Sequence, residues 1–87
     1  MATQKVVVRN EHGIHARVAS RVVEKTRTMS SKVTISLDDK EADAGSIIDL
    51  LLLGATQGST VDVSVTGGDE EKHLLAIAQI FSDGGGI

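Results

Sequence analysis

Gly13-Ile14-His15-Ala16-Arg17-Val18-Ala19 decides how the rest of the chain is read. A turn glycine leads into a histidine, and behind it Val18, Ala19, Val22 and Val23 set apolar residues three and four apart. That spacing gives a helix one apolar face, beginning where the histidine stands. His15 is therefore expected at or just before a helix N-terminus. There the first backbone N–H groups lack partners and the macrodipole is positive, which suits an anion such as phosphate. Arg17 adds a planar cationic fork matched to phosphate oxygens. The same field favours the neutral imidazole, whose free lone pair can attack phosphorus. Nδ1 is the ring nitrogen nearer the backbone, so attack is expected from it, with the amides of Ala16 and Arg17 receiving the phosphate. The chemistry implied is acceptance of a phosphoryl group on histidine and its onward transfer.

Around this stretch the chain alternates strand and helix patterns. Lys5-Val6-Val7-Val8-Arg9 is a β-branched run with Val6 and Val8 on one side. Asn10-Glu11-His12-Gly13 is a polar turn, and the helix after it should end between Thr28 and Ser31. Lys32-Val33-Thr34-Ile35-Ser36-Leu37 alternates with Val33, Ile35 and Leu37 inward. Lys40-Glu41-Ala42-Asp43 reads as a charged edge strand. Ser46 is a candidate N-cap for Ile47-Ile48-Asp49-Leu50-Leu51-Leu52-Leu53, with Asp49 in the first turn and Gly54 at the close. A buried strand competes for that short run, but cap signals at both ends favour helix. Thr60-Val61-Asp62-Val63-Ser64-Val65-Thr66 alternates again. Glu70 and Glu71 then open a last helix with Leu74, Ile77, Ala78 and Phe81 on one face, and the residues from Gly84 on should fray. Alternating strands with helices between them imply an α+β two-layer domain with a mostly antiparallel sheet.

Composition narrows the function classes. Eighty-seven residues make one domain, taken as 1–87, and Phe81 is the only aromatic, so the core must be aliphatic. The absence of cysteine removes disulfides, thiol nucleophiles and cysteine metal clusters, and fits a reducing, cytoplasmic setting. No apolar run reaches the roughly 20 residues of a membrane span, and no signal-peptide pattern opens the chain. A net charge of −3 without stacking aromatics argues against nucleic acid. No cofactor is expected.

Gly13-Ile14-His15-Ala16-Arg17, Ser46-Ile47-Ile48 and Gly54-Ala55-Thr56-Gln57-Gly58 together resemble HPr, the histidine-containing phosphocarrier family of the bacterial sugar phosphotransferase system. The resemblance runs from about Lys5 to Phe81. It implies an open-faced β-sandwich, a four-stranded antiparallel sheet with three helices on one face in the order βαββαβα. It also implies that His15 takes phosphate from enzyme I, itself charged by phosphoenolpyruvate, and passes it to sugar-specific IIA domains, with Arg17 as phosphate partner. Such a protein is a monomeric carrier rather than an enzyme. In one branch of the family the serine matching Ser46 is phosphorylated by HPr kinase/phosphorylase, which slows transfer and creates a corepressor for a catabolite-control regulator. Two departures stand out. Val18 occupies a position where many members have proline, which leaves an extra amide donor. Glu24, Gly45 and Asp49 occupy positions that are often basic, although Arg17 and Arg27 remain, so either weaker steering toward an acidic enzyme I surface or a partner with compensating charges is expected.

Blander readings compete at each residue. A lone turn histidine usually has no role, and it is the arginine, the helix start and the whole-chain likeness that set His15 apart. His12 precedes it by three and could form a metal pair, but no third ligand completes a set. His73 is expected on the surface. Ser46 serves first as an N-cap, and a phosphate there would meet a helix N-terminus that tolerates it. The second helix leaves almost no polar face, so Ile47, Ile48 and Leu51 are expected to be exposed as a docking patch with Arg27 beside it. Two alternatives to carriage are a regulatory HPr paralogue that acts by binding kinases or transcription regulators, and an α+β ligand-binding module without phosphate chemistry.

Overall fold

The structure is a computed structural model in which residues 1–83 are described. Residues 84–87, expected to fray, lie outside the described residues. Seven elements follow in order: β1 (Ala2–Val7), α1 (Ala16–Thr26), β2 (Lys32–Leu37), β3 (Lys40–Asp43), α2 (Ile47–Leu52), β4 (Thr60–Thr66) and α3 (Glu70–Asp83).

The strands form one sheet in the order β1-β4-β2-β3, antiparallel at every pairing. Register matches the period-two pattern, with Val6 opposite Val61, Val33 opposite Val65 and Ile35 opposite Val63. These valines and Ile35 are buried, along with Ala42 of β3. The side chains between them, Lys5, Thr34, Ser36, Asp62 and Ser64, form the opposite face, where Lys5 Nζ reaches Asp62 Oδ1 at 3.2 Å. One face of the sheet is thus left open, and the helices cover the other. α3 lies against β1 and β4, α2 against β3, and α1 touches both other helices. The fold is the open-faced α+β sandwich that the element order implies.

Core residues come from every element. Val18, Ala19, Val22 and Val23 of α1 meet Leu50 of α2 and Leu74, Ile77, Ala78 and Phe81 of α3 in one cluster. Phe81 is the largest fully buried side chain. Filling a two-layer interior with branched aliphatics, each stiff at χ1, gives many small close contacts in place of aromatic packing.

The structure differs from the sequence reading at several points. β1 begins at Ala2 instead of Lys5, because Ala2, Thr3 and Gln4 pair with Val65, Ser64 and Val63 although they carry no apolar pattern. Backbone pairing with β4 places them there, and side-chain periodicity cannot reveal it. α1 stops at Thr26, with the Thr26 hydroxyl donating to Val23 O at 2.8 Å and the Thr28 hydroxyl to Lys25 O at 2.8 Å. The Thr28 hydroxyl takes a carbonyl that another helical turn would have used, whereas Val23 O also accepts from Arg27 N at 3.1 Å. Leu37, expected inward, is only partly buried at the end of β2. His73, expected on the surface, is half-buried, and its Nδ1 shares a 2.6 Å hydrogen bond with Ser31 Oγ.

Candidate functional site

His15 is the N-cap of α1. Its backbone is extended at φ −100°, and its carbonyl accepts the first helical bond from Ala19 N at 2.9 Å. The capping acceptor is the ring itself: Arg17 N donates to His15 Nδ1 at 3.3 Å. A ring nitrogen that accepts carries no proton, so this geometry places the imidazole proton on Nε2. Nε2 is buried and has no hydrogen-bond partner, while the residue as a whole is half-exposed. The two nitrogens are therefore unlike. Nδ1 faces the amide-rich helix start, and Nε2 is turned away from solvent.

The turn that delivers the histidine is held from below. Gly13 adopts φ +69°, and a Cβ there would sit 2.7 Å from Thr56 Cα and overlap the Ala55 carbonyl. Ala55 O accepts instead from Ile14 N at 3.1 Å, and Gly13 N donates to Asn10 O at 2.9 Å. Asn10 is fully buried, with Nδ2 donating to Ile80 O at 3.2 Å near the end of α3. The sequence reading saw Asn10 only as a polar turn residue. Its burial is not signalled locally, because the acceptor is 70 residues away in the chain. The loop after α2 supports the same turn, and Gly54 and Gly58 adopt φ +74° and +92° within it.

The proposed phosphate ligands are brought together in part. The amides of Ala16 and Arg17 stand at the first turn behind the ring, and Val18 N–H follows them. The Arg17 side chain is exposed and forms no ion pair among the described residues. His12 is exposed, and its ring stands nearly edge-on to that of His15 with centroids 6.0 Å apart and planes at 70°. No group of three metal-ligating side chains gathers among the described residues.

Ser46 is the N-cap of α2 and accepts from Asp49 N at 3.2 Å. Asp49 in turn accepts from Asp43 N at 3.2 Å, which explains why it is half-buried. Leu50 and Leu53 point into the core, while Ile47 is 38% exposed, Ile48 69%, Leu51 41% and Leu52 71%. Leu52, the most exposed of these, was missing from the anticipated patch. Its position between Leu50 and Leu53 puts it opposite the core face, a signal that the helical period does carry. Arg27 is the exposed C-cap of α1, the helix that packs against α2. Glu24 and Gly45 are exposed as well.

Residues 2–83 match the model of the family described as the PTS HPr component phosphorylation site. The phosphocarrier protein HPr of Xylella fastidiosa is 31% identical over 95% of this chain and 93% of its own length. The phosphocarrier protein NPr of Proteus mirabilis is 35% identical over 93% of this chain and 91% of its own. Among solved structures, HPr from Thermoanaerobacter tengcongensis superposes with a TM-score of 0.92 at 31% identity, covering 100% of this chain and 98% of the other. On a match spanning nearly its whole length, this chain belongs to the HPr family of phosphotransferase-system phosphocarriers.

Proposed function

We propose that His15 accepts a phosphoryl group on Nδ1 from phosphorylated enzyme I and passes it to the IIA domains of sugar permeases. The observation that carries this reading is the contrast between the two ring nitrogens. Nδ1 is the unprotonated nitrogen and is engaged only by the long 3.3 Å bond from the first-turn amide of Arg17, whereas Nε2 is buried. In the transfer, the Nδ1 lone pair forms the new N–P bond as the donor's bond to phosphorus breaks. The phosphoryl oxygens then take over the amides of Ala16 and Arg17, and the weak 3.3 Å capping contact is exchanged for charge-assisted bonds at a helix N-terminus. Arg17, free of any ion pair among the described residues, can swing its guanidinium onto the same oxygens. Incubation with enzyme I and labelled phosphoenolpyruvate should yield acid-labile label that His15→Ala abolishes, with nitrogen-15 NMR placing phosphorus on Nδ1. Label that survives in His15→Ala, or a stable Nε2 adduct, overturns this assignment.

The α2 surface offers the docking face in this reading. Ile47, Ile48, Leu51 and Leu52 give the partner an apolar patch, and Arg27 on the adjoining helix supplies a cation at its margin. Ser46, at the head of that helix, is the proposed regulatory site for HPr kinase/phosphorylase. A phosphate there would gain the α2 amides but would also face the Asp43 and Asp49 carboxylates, which bond to the same short segment. Treatment with the kinase and ATP tests it: label lost in Ser46→Ala supports regulation, and no label leaves Ser46 as a cap alone. The relatives include proteins named both HPr and NPr, so the partner set served by this carrier belongs to the proposal rather than to the family assignment.

A further inference from the structure

We infer that Asn10 is a positioning residue for phosphoryl transfer, fixing the aim of the His15 ring through the turn that carries it. The inference rests on the carrier reading and concerns the same site. Among the described residues Asn10 is the one polar side chain that is fully buried, in a core otherwise made of apolar side chains. Its two polar atoms fare differently: Nδ2 donates to Ile80 O at 3.2 Å, and Oδ1 has no partner. A buried acceptor without a donor lowers stability, and an apolar side chain of similar size would avoid that cost. Core stability alone therefore does not account for an asparagine at this position. The other orphaned buried side-chain atom among the described residues is Nε2 of His15, five residues on in the same segment. Unmet polar groups gather where function and not stability sets the residue, and here both lie in the turn of the reacting histidine.

The asparagine acts as a bridge. Carbonyls in the last turn of a helix lack donors within it. In the last turn of α3, Ile80 O accepts from Asn10 Nδ2 and Phe81 O from Arg9 N at 2.9 Å. The Asn10 carbonyl in turn accepts from Gly13 N at 2.9 Å, and Gly13 O from His15 N at 3.1 Å. A run of hydrogen bonds thus leads from the end of α3, through one side chain, to the backbone of the reacting residue. The ring itself is held only by the 3.3 Å bond from Arg17 N, so it takes its direction from the backbone beneath it. Loss of the Asn10 amide frees one end of that run. The bonds from Arg9 N to Phe81 O and from Ile14 N to Ala55 O remain, so the turn keeps its place but not its exact tilt. Transfer depends on the distance and angle of attack, and a small tilt slows it. Because Asn10 is fully buried, a partner protein does not meet it, and its loss should change the chemical step and leave docking alone.

The test separates aim from stability. Asn10→Leu keeps the volume and removes the amide, and Asn10→Ala removes both. Each is phosphorylated by enzyme I over a range of carrier concentrations, so that kcat and KM for the carrier are read apart, and proton–nitrogen NMR follows the Arg17 amide. Asn10→Leu should melt within about 5 °C of wild type, because relief of the orphaned Oδ1 offsets the lost bond to Ile80 O. In both variants kcat should fall about tenfold with KM within about twofold, since misplacing a reacting group costs up to about a hundredfold. The Arg17 amide proton should shift as its bond to Nδ1 loosens. A side chain that served stability alone would move neither reading at a temperature where the variant is folded. A wild-type kcat in a folded variant, or a loss confined to KM, overturns the positioning role. Should the leucine variant fail to fold, the alanine variant decides by the same readings, and failure of both to fold assigns Asn10 to the fold and overturns the inference. Wild-type protein that takes no phosphate overturns the carrier reading itself, and the Arg17 amide still reports whether Asn10 holds the ring.

Discussion

The imidazole of His15 is held by one poor hydrogen bond and leaves one good donor unmet. Nδ1 accepts at 3.3 Å, long for an N–H···N contact, and the Nε2 proton is buried without an acceptor. Leaving a buried donor unpaired costs about 1–3 kcal/mol, so the resting ring sits in a shallow well from which the incoming phosphate can displace it. Gly13 aims this ring. At φ +69° a Cβ adds both left-handed strain, about 1 kcal/mol or more, and overlap with the Ala55 carbonyl. Gly13→Ala should therefore destabilise the protein by about 2 kcal/mol or more in urea unfolding and slow phosphorylation of His15, because relief of the overlap moves the turn off the 54–58 loop. An unchanged unfolding midpoint would mean that the turn is not pinned there.

Among the elements, α2 divides its residues most sharply between structure and contact. Leu50 is fully buried and Ile48 is 69% exposed, although both lie in one apolar run. Leu50→Ala should cost about 2–5 kcal/mol, as removal of buried methyl groups from a packed core does. Ile48→Asp should change stability by no more than about 0.5 kcal/mol. It should also slow transfer from enzyme I by about fivefold or more, since a central docking residue is worth at least about 1 kcal/mol. Loss of the fold in Ile48→Asp would mean that the patch is core after all. At the start of α3, Glu70 supplies an acid response. Gly67 N donates to its Oε2 at 2.9 Å and the N-terminal ammonium lies 3.1 Å from its Oε1, and these hold the carboxyl below the usual glutamate range. A depressed folded value means the contribution is present above the unfolded pKa and is lost as pH falls through the folded one. Glu70→Gln should accordingly lower the melting temperature at pH 7, and the difference from wild type should close as pH drops below the glutamate range. A gap that persists at acid pH would assign the effect to shape and not to charge.

Across the whole molecule, what could be read from the sequence was what repeats with a short period. The alternation of Val33 and Ile35 in β2, the valine ladder of β4, the Leu74, Ile77, Ala78 and Phe81 stripe and the Ser46 cap are local patterns, and each stands where its spacing places it. The start of β1, the burial of Asn10 and the Ser31–His73 bond were not legible. Each depends on a partner 42 or more residues away, and no window on the chain contains both ends. Net charge is likewise a property of the whole molecule, and it bears on encounter more than on fold. The chain carries −3 overall, and Glu24 lies exposed on the helix that begins at His15 and ends at the exposed Arg27. An acidic donor surface approaching this helix meets Arg17 and Arg27 with an opposing carboxylate between them. Glu24→Lys changes the total by two units and reverses the sign at that point without touching a buried residue, so stability should hold within about 0.5 kcal/mol. Transfer from enzyme I should then speed up by a few-fold at 10 mM salt, where the screening length is about 30 Å, and the gain should vanish near 1 M salt, where it is about 3 Å. An acceleration that is the same at both salt concentrations would point to a direct contact at residue 24, and no acceleration would mean that the donor's surface is not acidic where α1 approaches it.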